Sequence, residues 1–268
     1  PPPVAATDSI KTEEKKKDEP IAKKDSLPAP PMPLTERWAL LFTGGPNLCI
    51  KNSSNSLFNI AGEKQPVTYN AAFKAEYKLV RNLSVSAGLN YSYFTAQQDV
   101  TLLYFNRFQT TDFIFYSSYG PMAVSMSNML QGYNPGPGIT TLKINYSYTS
   151  KLNTLQIPLE AKWYFANTAK INLYTALGGN VMFVLSEQTK LTTINEHVTN
   201  TYTFNQVNSS KFNILLMLGL GGDVRLYKKL YFTIDGGFRY GAVNLSTAVG
   251  ARTYPTYFSI NGGLKFKL

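Results

Sequence analysis

The sequence predicts an all-β protein: an eight-stranded antiparallel up-and-down β-barrel crossing a membrane, preceded by a disordered linker. Three observations predict it. Apolar and polar residues alternate with period two through almost everything after residue 36. Most of the alternating segments are far longer than the roughly five or six residues of a typical soluble strand, and a tilted bilayer crossing with an overhang needs that length. Charged residues make up only 16% while aromatics reach 13%, with 18 Tyr and 16 Phe, so the strands carry one unusually apolar face.

Residues 1–36, PPPVAATDSIKTEEKKKDEPIAKKDSLPAPPMPLTE, are rich in Pro, Lys, Glu, Ala and Asp, with no aromatic side chain and few large apolar ones. Such a stretch cannot bury enough apolar surface to offset ordering, which predicts an extended, disordered linker. The barrel is expected over 37–268. Its first strand, 37–50, carries Trp38 near its start. The second, 67–79, alternates Tyr69 and Tyr77 with Lys74, Glu76 and Lys78. The third, 83–96, sets Leu83, Val85, Ala87, Leu89, Tyr91 and Tyr93 against Ser84, Ser86, Gly88, Asn90 and Ser92. The fourth, 143–165, sets Trp163 and Phe165 against Glu160 and Lys162. The fifth, 170–186, bears Phe183 on its apolar face, and the sixth, 208–227, bears Asp223 and Arg225 on its polar face. The seventh, 230–246, opposes Phe232 and Tyr240 to Asp235 and Arg239. The last, 254–268, opposes Leu264, Phe266 and Leu268 to Gly263, Lys265 and Lys267.

The links sort by parity. Links two, four and six are short (80–82, 166–169, 228–229), whereas the others are longer and 97–142 is the longest. Alternate links of a meander lie at the same end, so one rim has tight turns and the other has loops. Outer-membrane barrels show that asymmetry, with the short turns in the periplasm, and residues 1–36 are therefore expected there too.

If the apolar parity faces lipid, the polar parity faces the lumen. It collects a candidate charge network of Lys74, Glu76, Glu160, Lys162, Asp223, Arg225, Asp235 and Arg239, with Arg37, Lys78, Lys265 and Lys267 on the same parity. A Lys or Arg on the lipid face near the midplane costs about 2–4 kcal/mol, which selects for this segregation. Aromatic girdles are expected at both interfaces: Trp38, Tyr77, Trp163, Phe165, Phe232 and Phe266 near the short turns, and Tyr69, Tyr91, Tyr93, Phe183 and Tyr240 near the loops. Gly88, Gly178, Gly219, Gly221, Gly237 and Gly263 fall mostly on lumen parity, where a narrow barrel must bend.

Other functions find little support. No apolar run approaches the roughly 18–20 residues of a spanning helix. The single Cys49 and single His197 rule out an internal disulfide, a multi-Cys metal site and a His cluster, and no metal or cofactor is expected. The formal charge of +10 suggests nucleic acid, but residues 1–36 nearly cancel, and no basic run with interleaved aromatics follows. Glu196 and His197 lie in the loop 187–207, where a lone His is far more often solvated than catalytic, so no catalytic residue is assigned. An eight-stranded interior is filled by side chains, which argues against a pore.

The stretch TLQIPLEAKWYF (154–165) and the hairpin phrases RNLSVSAGLNYSY and KKLYFTIDGGFRYG resemble the small outer-membrane β-barrel family abundant in Bacteroidota. The resemblance implies an eight-stranded barrel in a Gram-negative outer membrane and carries over no catalytic residue. The Pro- and Lys-rich leader is similar to the periplasmic section of envelope-spanning regulators, which join an anti-sigma region to such a barrel. The ending NGGLKFKL, through Asn261, Gly263, Phe266 and Leu268, resembles the C-terminal signal read by the barrel-assembly machinery. Further expected partners are outer-membrane lipid and lipopolysaccharide, and a protein docking on the leader or on the third loop. That loop is unusually aromatic, with Tyr104, Phe105, Phe108, Phe113, Phe115, Tyr116 and Tyr119 as candidates. The expected role is a non-enzymatic anchor, sensor or partner-binding module, with alternatives of a subunit of a type IX secretion assembly and a lipid-modifying enzyme.

Overall fold

The structure, a computed structural model, describes residues 37–50, 63–106, 112–117, 120–132, 140–195, 198–205, 210–245 and 254–268. The linker expected over 1–36 lies outside the described residues. The elements are β1 (Trp38–Ile50), β2 (Glu63–Lys64), β3 (Thr68–Val80), β4 (Leu83–Asn106), β5 (Phe113–Ser117), β6 (Gly120–Val124), a single helical turn α1 (Met126–Met129), β7 (Thr141–Asn167), β8 (Ile171–Asn195), β9 (Val198–Phe204), β10 (Phe212–Tyr227), β11 (Leu230–Gly241) and β12 (Thr256–Lys267).

Eight of these strands form an antiparallel ring in the order β1, β3, β4, β7, β8, β10, β11, β12. The ring closes where β12 pairs back onto β1, from Ala39 opposite Lys267 to Ile50 opposite Thr256. Closure removes both sheet edges, so the ladders find their partners within the barrel, as a lipid-embedded sheet requires. The short-turn end is sealed by backbone bonds: Leu268 N–H donates to the Trp38 carbonyl at 2.9 Å, and Lys267 N–H to the Lys229 carbonyl at 2.9 Å. Among the described residues no helix is long and apolar enough to cross a membrane; the strands do the crossing.

Side-chain parity follows the alternation. Leu159, Leu177 and Leu218 are each more than 60% exposed on the outer surface, while Glu160, Lys162 and Gln156 are buried inside. In water such an outer face would be a large uncompensated apolar surface; in hydrocarbon it is the matched one. Four glycines set the bore. A Cβ on Gly45, Gly88, Gly178 or Gly263 would lie only 1.9–2.2 Å from a carbonyl oxygen of the adjacent strand, so their lack of a side chain permits close strand approach. Gly221 instead makes room for a ring: a Cβ there would lie 2.5 Å from Tyr174, which occupies that space.

The strand ends depart from the sequence expectation. The third link does not begin at 97, because β4 runs to Asn106 and β7 starts at Thr141, paired to each other up to Asn106 opposite Thr141. β8 likewise continues to Asn195 and turns back as β9, pairing Thr189–Asn195 with Phe204–Val198. In the lower part β8 pairs instead with β10, from Ile171 to Phe183. Beyond the ring, then, β4, β7, β8 and β9 continue as a four-stranded sheet. β11 ends at Gly241, before the expected 246. A bulge where Asn153 opposes Ser186 and Thr154 opposes Val184 inserts one residue into β8. One extra residue reverses which parity faces inward: Asn172 to Met182 are buried at even positions, and Glu187 to Asn195 at odd ones.

Candidate functional site: a filled lumen and a loop-end platform

The lower lumen is filled by charge. Glu76 on β3 is the hub, accepting from Lys162 at 2.9 Å, from Lys265 at 2.7 Å and from the Tyr164 hydroxyl at 2.7 Å. Lys265 also reaches Asp223 at 2.9 Å. One pleat toward the loops, Lys74 pairs with Glu160 at 2.6 Å, and Ser86 donates to the second Glu160 oxygen at 3.2 Å. The Lys162 ammonium sits 4.9 Å from the Tyr174 ring centre. Every one of these carboxylates and ammonium groups is at least nine-tenths buried, where desolvation is repaid only by several well-placed partners. The hub has three.

Of the candidate network, Lys74, Glu76, Glu160, Lys162 and Asp223 come together. Asp235 joins through Asn261, whose amide donates to it at 2.8 Å, and Asn70 in turn donates to Asn261 at 3.0 Å and to Asn47 at 2.8 Å. Arg239 is buried, donates to the Ser259 hydroxyl and stands 5.4 Å from the Tyr257 ring centre, but it has no ion pair among the described residues. Arg225 corrects the expectation. Its side chain is exposed at the short-turn rim, where Nε donates to the Lys228 carbonyl at 2.8 Å; a bulge between Arg225 and Tyr227 ends the regular ladder there. Period two suffices to place Lys265 in the lumen, but nothing in it marks this lysine as the bridge between Glu76 and Asp223. Tyr164, Tyr174 and Gln156 are further lumen partners that charge-counting passes over.

The upper lumen is filled by hydrocarbon. Phe94, Ala96, Leu152, Met182, Leu215, Leu245 and Tyr257 form one buried cluster with Cys49 and Val184 against it. Leu245 comes from the link between β11 and β12, so a loop residue caps the bore. A second cluster lies beyond the ring: Phe115, Val124, Met129, Leu142, Ile144, Tyr148 and Leu191. There the β5–β6 hairpin and α1 lie against the inner face of the four-stranded sheet. Three side chains pin the segment by its backbone: Asn195 to the Met129 carbonyl at 2.7 Å, Asn200 to Gln131 at 3.1 Å and Tyr202 to Asn128 at 2.7 Å.

That packing corrects part of the loop expectation. Phe115 is 3% exposed and belongs to the core, and Phe113 is half-buried with its ring 5.5 Å from that of Phe115. Tyr104 does present an exposed ring at 62%. Phe105 and Tyr116 lie on β4 and β5, and Phe108 and Tyr119, like Glu196 and His197, fall outside the described residues.

The girdle candidates all lie on the outward parity. Near the short turns, Trp38 is paired with Tyr77, their rings 4.8 Å apart, and Phe232, Trp163, Phe165 and Phe266 are exposed around the same rim. Near the loops, Tyr69, Tyr91, Phe183 and Tyr240 are exposed and Tyr93 is half-buried. The terminal candidates divide by face: Asn261 and Gly263 serve the lumen and the close approach to β1, and Phe266 and Leu268 face outward. Among the described residues no group of His, Cys, Asp or Glu side chains could hold a metal ion.

A closed ring with an apolar exterior, two outward aromatic rows and a filled interior defines a small transmembrane β-barrel. The chain belongs to the outer membrane protein beta-barrel domain family, whose model matches residues 24–247, and the protein is an outer-membrane barrel. Solved structures similar to it include the outer membrane protein OprG from Pseudomonas aeruginosa, at 14% identity and a TM-score of 0.39, covering 87% of this chain and 98% of that one. Neisserial surface protein A is similar at 10% identity and a TM-score of 0.39, covering 86% and 96%. So is the attachment invasion locus protein Ail of Yersinia pestis, at 11% identity and a TM-score of 0.34, covering 86% and 99%. No curated protein sequence matches the chain.

Proposed function

We propose that the protein is a non-conducting, non-enzymatic outer-membrane anchor that displays a folded loop-end platform to a protein partner. The observation that carries this reading is the packing of 113–117 and 120–132 against the sheet beyond the ring. A chain that only needed to span the bilayer would gain nothing from building a second hydrophobic core beyond the ring. Among the described residues the bore beneath it is crossed by two side-chain layers, the Glu76 network and the Leu152 and Leu245 layer, which argues against a solute path. β1 starts at the short-turn rim, the periplasmic side in barrels of this class, so residues 1–36 would enter there. Their Pro- and Lys-rich composition supports attachment to a periplasmic or envelope-spanning regulatory chain.

The reading is tested by placing a photo-crosslinking residue at Tyr104, on the exposed loop-end surface, and at Leu159, on the lipid face, in intact cells. A discrete adduct from Tyr104 alone is expected. Equal labelling from both positions, or stable open channels of the purified barrel in a planar bilayer, would overturn it.

A further inference from the structure

The short-turn rim carries charge of one sign. Each turn contributes exposed cations: Arg81 between β3 and β4, Lys170 between β7 and β8, and Lys228 with Lys229 between β10 and β11. The strand ends beside them add Arg37, Lys78 and Lys267, all half-buried. Among the described residues no acidic side chain stands with them at the rim, and none of them is ion-paired. Glu76 and Asp223 lie deeper in the bore, where Lys162 and Lys265 already hold them. The loop end differs: Glu63, Asp99, Asp112 and Glu187 are interspersed among its lysines, and Lys64 pairs with Asp99.

Two of the rim cations are held toward the axis of the bore. The Lys267 ammonium donates to the Tyr231 hydroxyl at 2.9 Å and stands 4.2 Å from the centre of that ring, and the Lys78 ammonium stands 5.5 Å from the Tyr164 ring centre. Tyr164 and Tyr231 are buried on the inner parity, so both ammonium groups face the mouth rather than the bilayer. Their neighbours are also cationic. Lys78 N–H donates to the Arg37 carbonyl at 2.8 Å and Lys267 N–H to the Lys229 carbonyl at 2.9 Å. The adjacent strands β3, β1, β12 and β11 therefore end in cations side by side.

We propose that this mouth docks an acidic segment of a periplasmic polypeptide, bound as an extended chain with several carboxylates. Gathering like charge costs free energy through self-repulsion, and a complementary polyanion recovers it. Neighbouring strands stand about 4.8 Å apart and an extended peptide advances about 3.3 Å per residue, so carboxylates one or two residues apart match the spacing of the cations. Inner-leaflet phosphates share the charge, but they meet the rim from outside the girdle, away from Lys78 and Lys267. This face is separate from the loop-end platform, and failure of either reading leaves the other standing.

Fluorescence anisotropy of a labelled peptide of alternating Glu and Ser, titrated with the full chain in an uncharged detergent, tests the proposal. Saturable binding is expected at low salt, weakening steeply as added salt screens it. Arg81→Gln, Lys228→Gln and Lys229→Gln, in exposed turns, should each weaken it about threefold, the loss of one exposed ion pair. Residues 1–36 are intact in all three, so the loss reports the rim. Lys267→Gln should weaken binding as well, whereas Lys143→Gln, at the loop end, should not. Equal affinity for a peptide of alternating Gln and Ser, an equal loss from Lys143→Gln, or displacement of the peptide by equimolar phosphatidylglycerol would overturn the proposal. So would unchanged binding by the combined Arg81, Lys228 and Lys229 variant when it keeps the heat-dependent gel shift of a folded barrel.

Discussion

The short-turn half of the lumen is filled by charge and the loop-end half by hydrocarbon, and the two fillings respond differently to disturbance. In the lower half, the buried carboxylates Glu76, Glu160 and Asp223 are ion-paired with the buried ammonium groups of Lys74, Lys162 and Lys265. A missing partner there strands a charge that water cannot reach. In the upper half and the platform, the lining is Phe94, Leu152 and Met182, then Phe115, Leu142 and Ile144. A missing side chain there leaves only a void whose cost scales with its size.

The largest effect should come from Glu76→Gln. It removes one charge facing two lysines, and breaking a buried pair in this way costs about 3–5 kcal/mol. The urea midpoint of the vesicle-folded barrel should fall accordingly. Glu76→Gln paired with Lys162→Met should recover part of the loss, because the stranded charge goes too; no recovery would show that the hydrogen bonds, not the charge balance, hold the layer.

Next, Leu142→Ala in the platform core should cost about 2–5 kcal/mol by cavity formation, but locally. Limited proteolysis within 113–132 should accelerate while the ring keeps its resistance to SDS. If SDS resistance is lost as well, the two regions form one cooperative unit and the contrast between them fails.

A smaller effect is expected from Arg239→Met. This guanidinium has hydrogen-bond and ring contacts but no ion pair among the described residues, so its removal should cost under about 2 kcal/mol. A loss equal to that of Glu76→Gln would mean that overall lumen charge, rather than local pairing, governs stability.

The smallest effect is a pH dependence of the platform. Burial raises the Tyr202 and Tyr146 phenols above their ordinary value in the platform. A phenol that is harder to ionise in the folded state opposes folding once the unfolded chain ionises, so stability is fully present below the unfolded value and is lost as pH rises through the folded one. The platform should therefore loosen at strongly alkaline pH, seen as faster amide exchange in 141–152 as the pH rises. Tyr202→Phe should remove part of that alkaline sensitivity.

How much of this is legible in the sequence depends on the range of the interaction. Strand periodicity is local, so the eight barrel strands, the inward placement of Glu76, Glu160 and Lys265, and the outward placement of Trp38, Phe183 and Phe266 all follow from parity. Parity misleads where local geometry interrupts it. Arg225 lies next to a bulge at a strand end and swings out to the turn. The platform reads as loop because its alternation is interrupted by the irregular pairing between Gln98 and Thr101 and by the β8 bulge. Phe115 reads as an exposed aromatic because its burial is supplied by Leu142, Tyr148 and Leu191, residues on other strands.

The sequence by itself determined the solvent of each face. A period of two with apolar residues on one side and Lys, Glu and Asn on the other admits a lipid-facing exterior and a polar bore, whatever the partners. Only the tertiary structure decided which charges meet. Lys265 reaches Glu76 across 189 positions of sequence and Asp223 across 42, because ring closure and strand register bring β12 beside both β1 and β11 and aim its inward side chains across a narrow bore. Such distances are set by shear and closure, properties of the whole sheet that no single strand encodes.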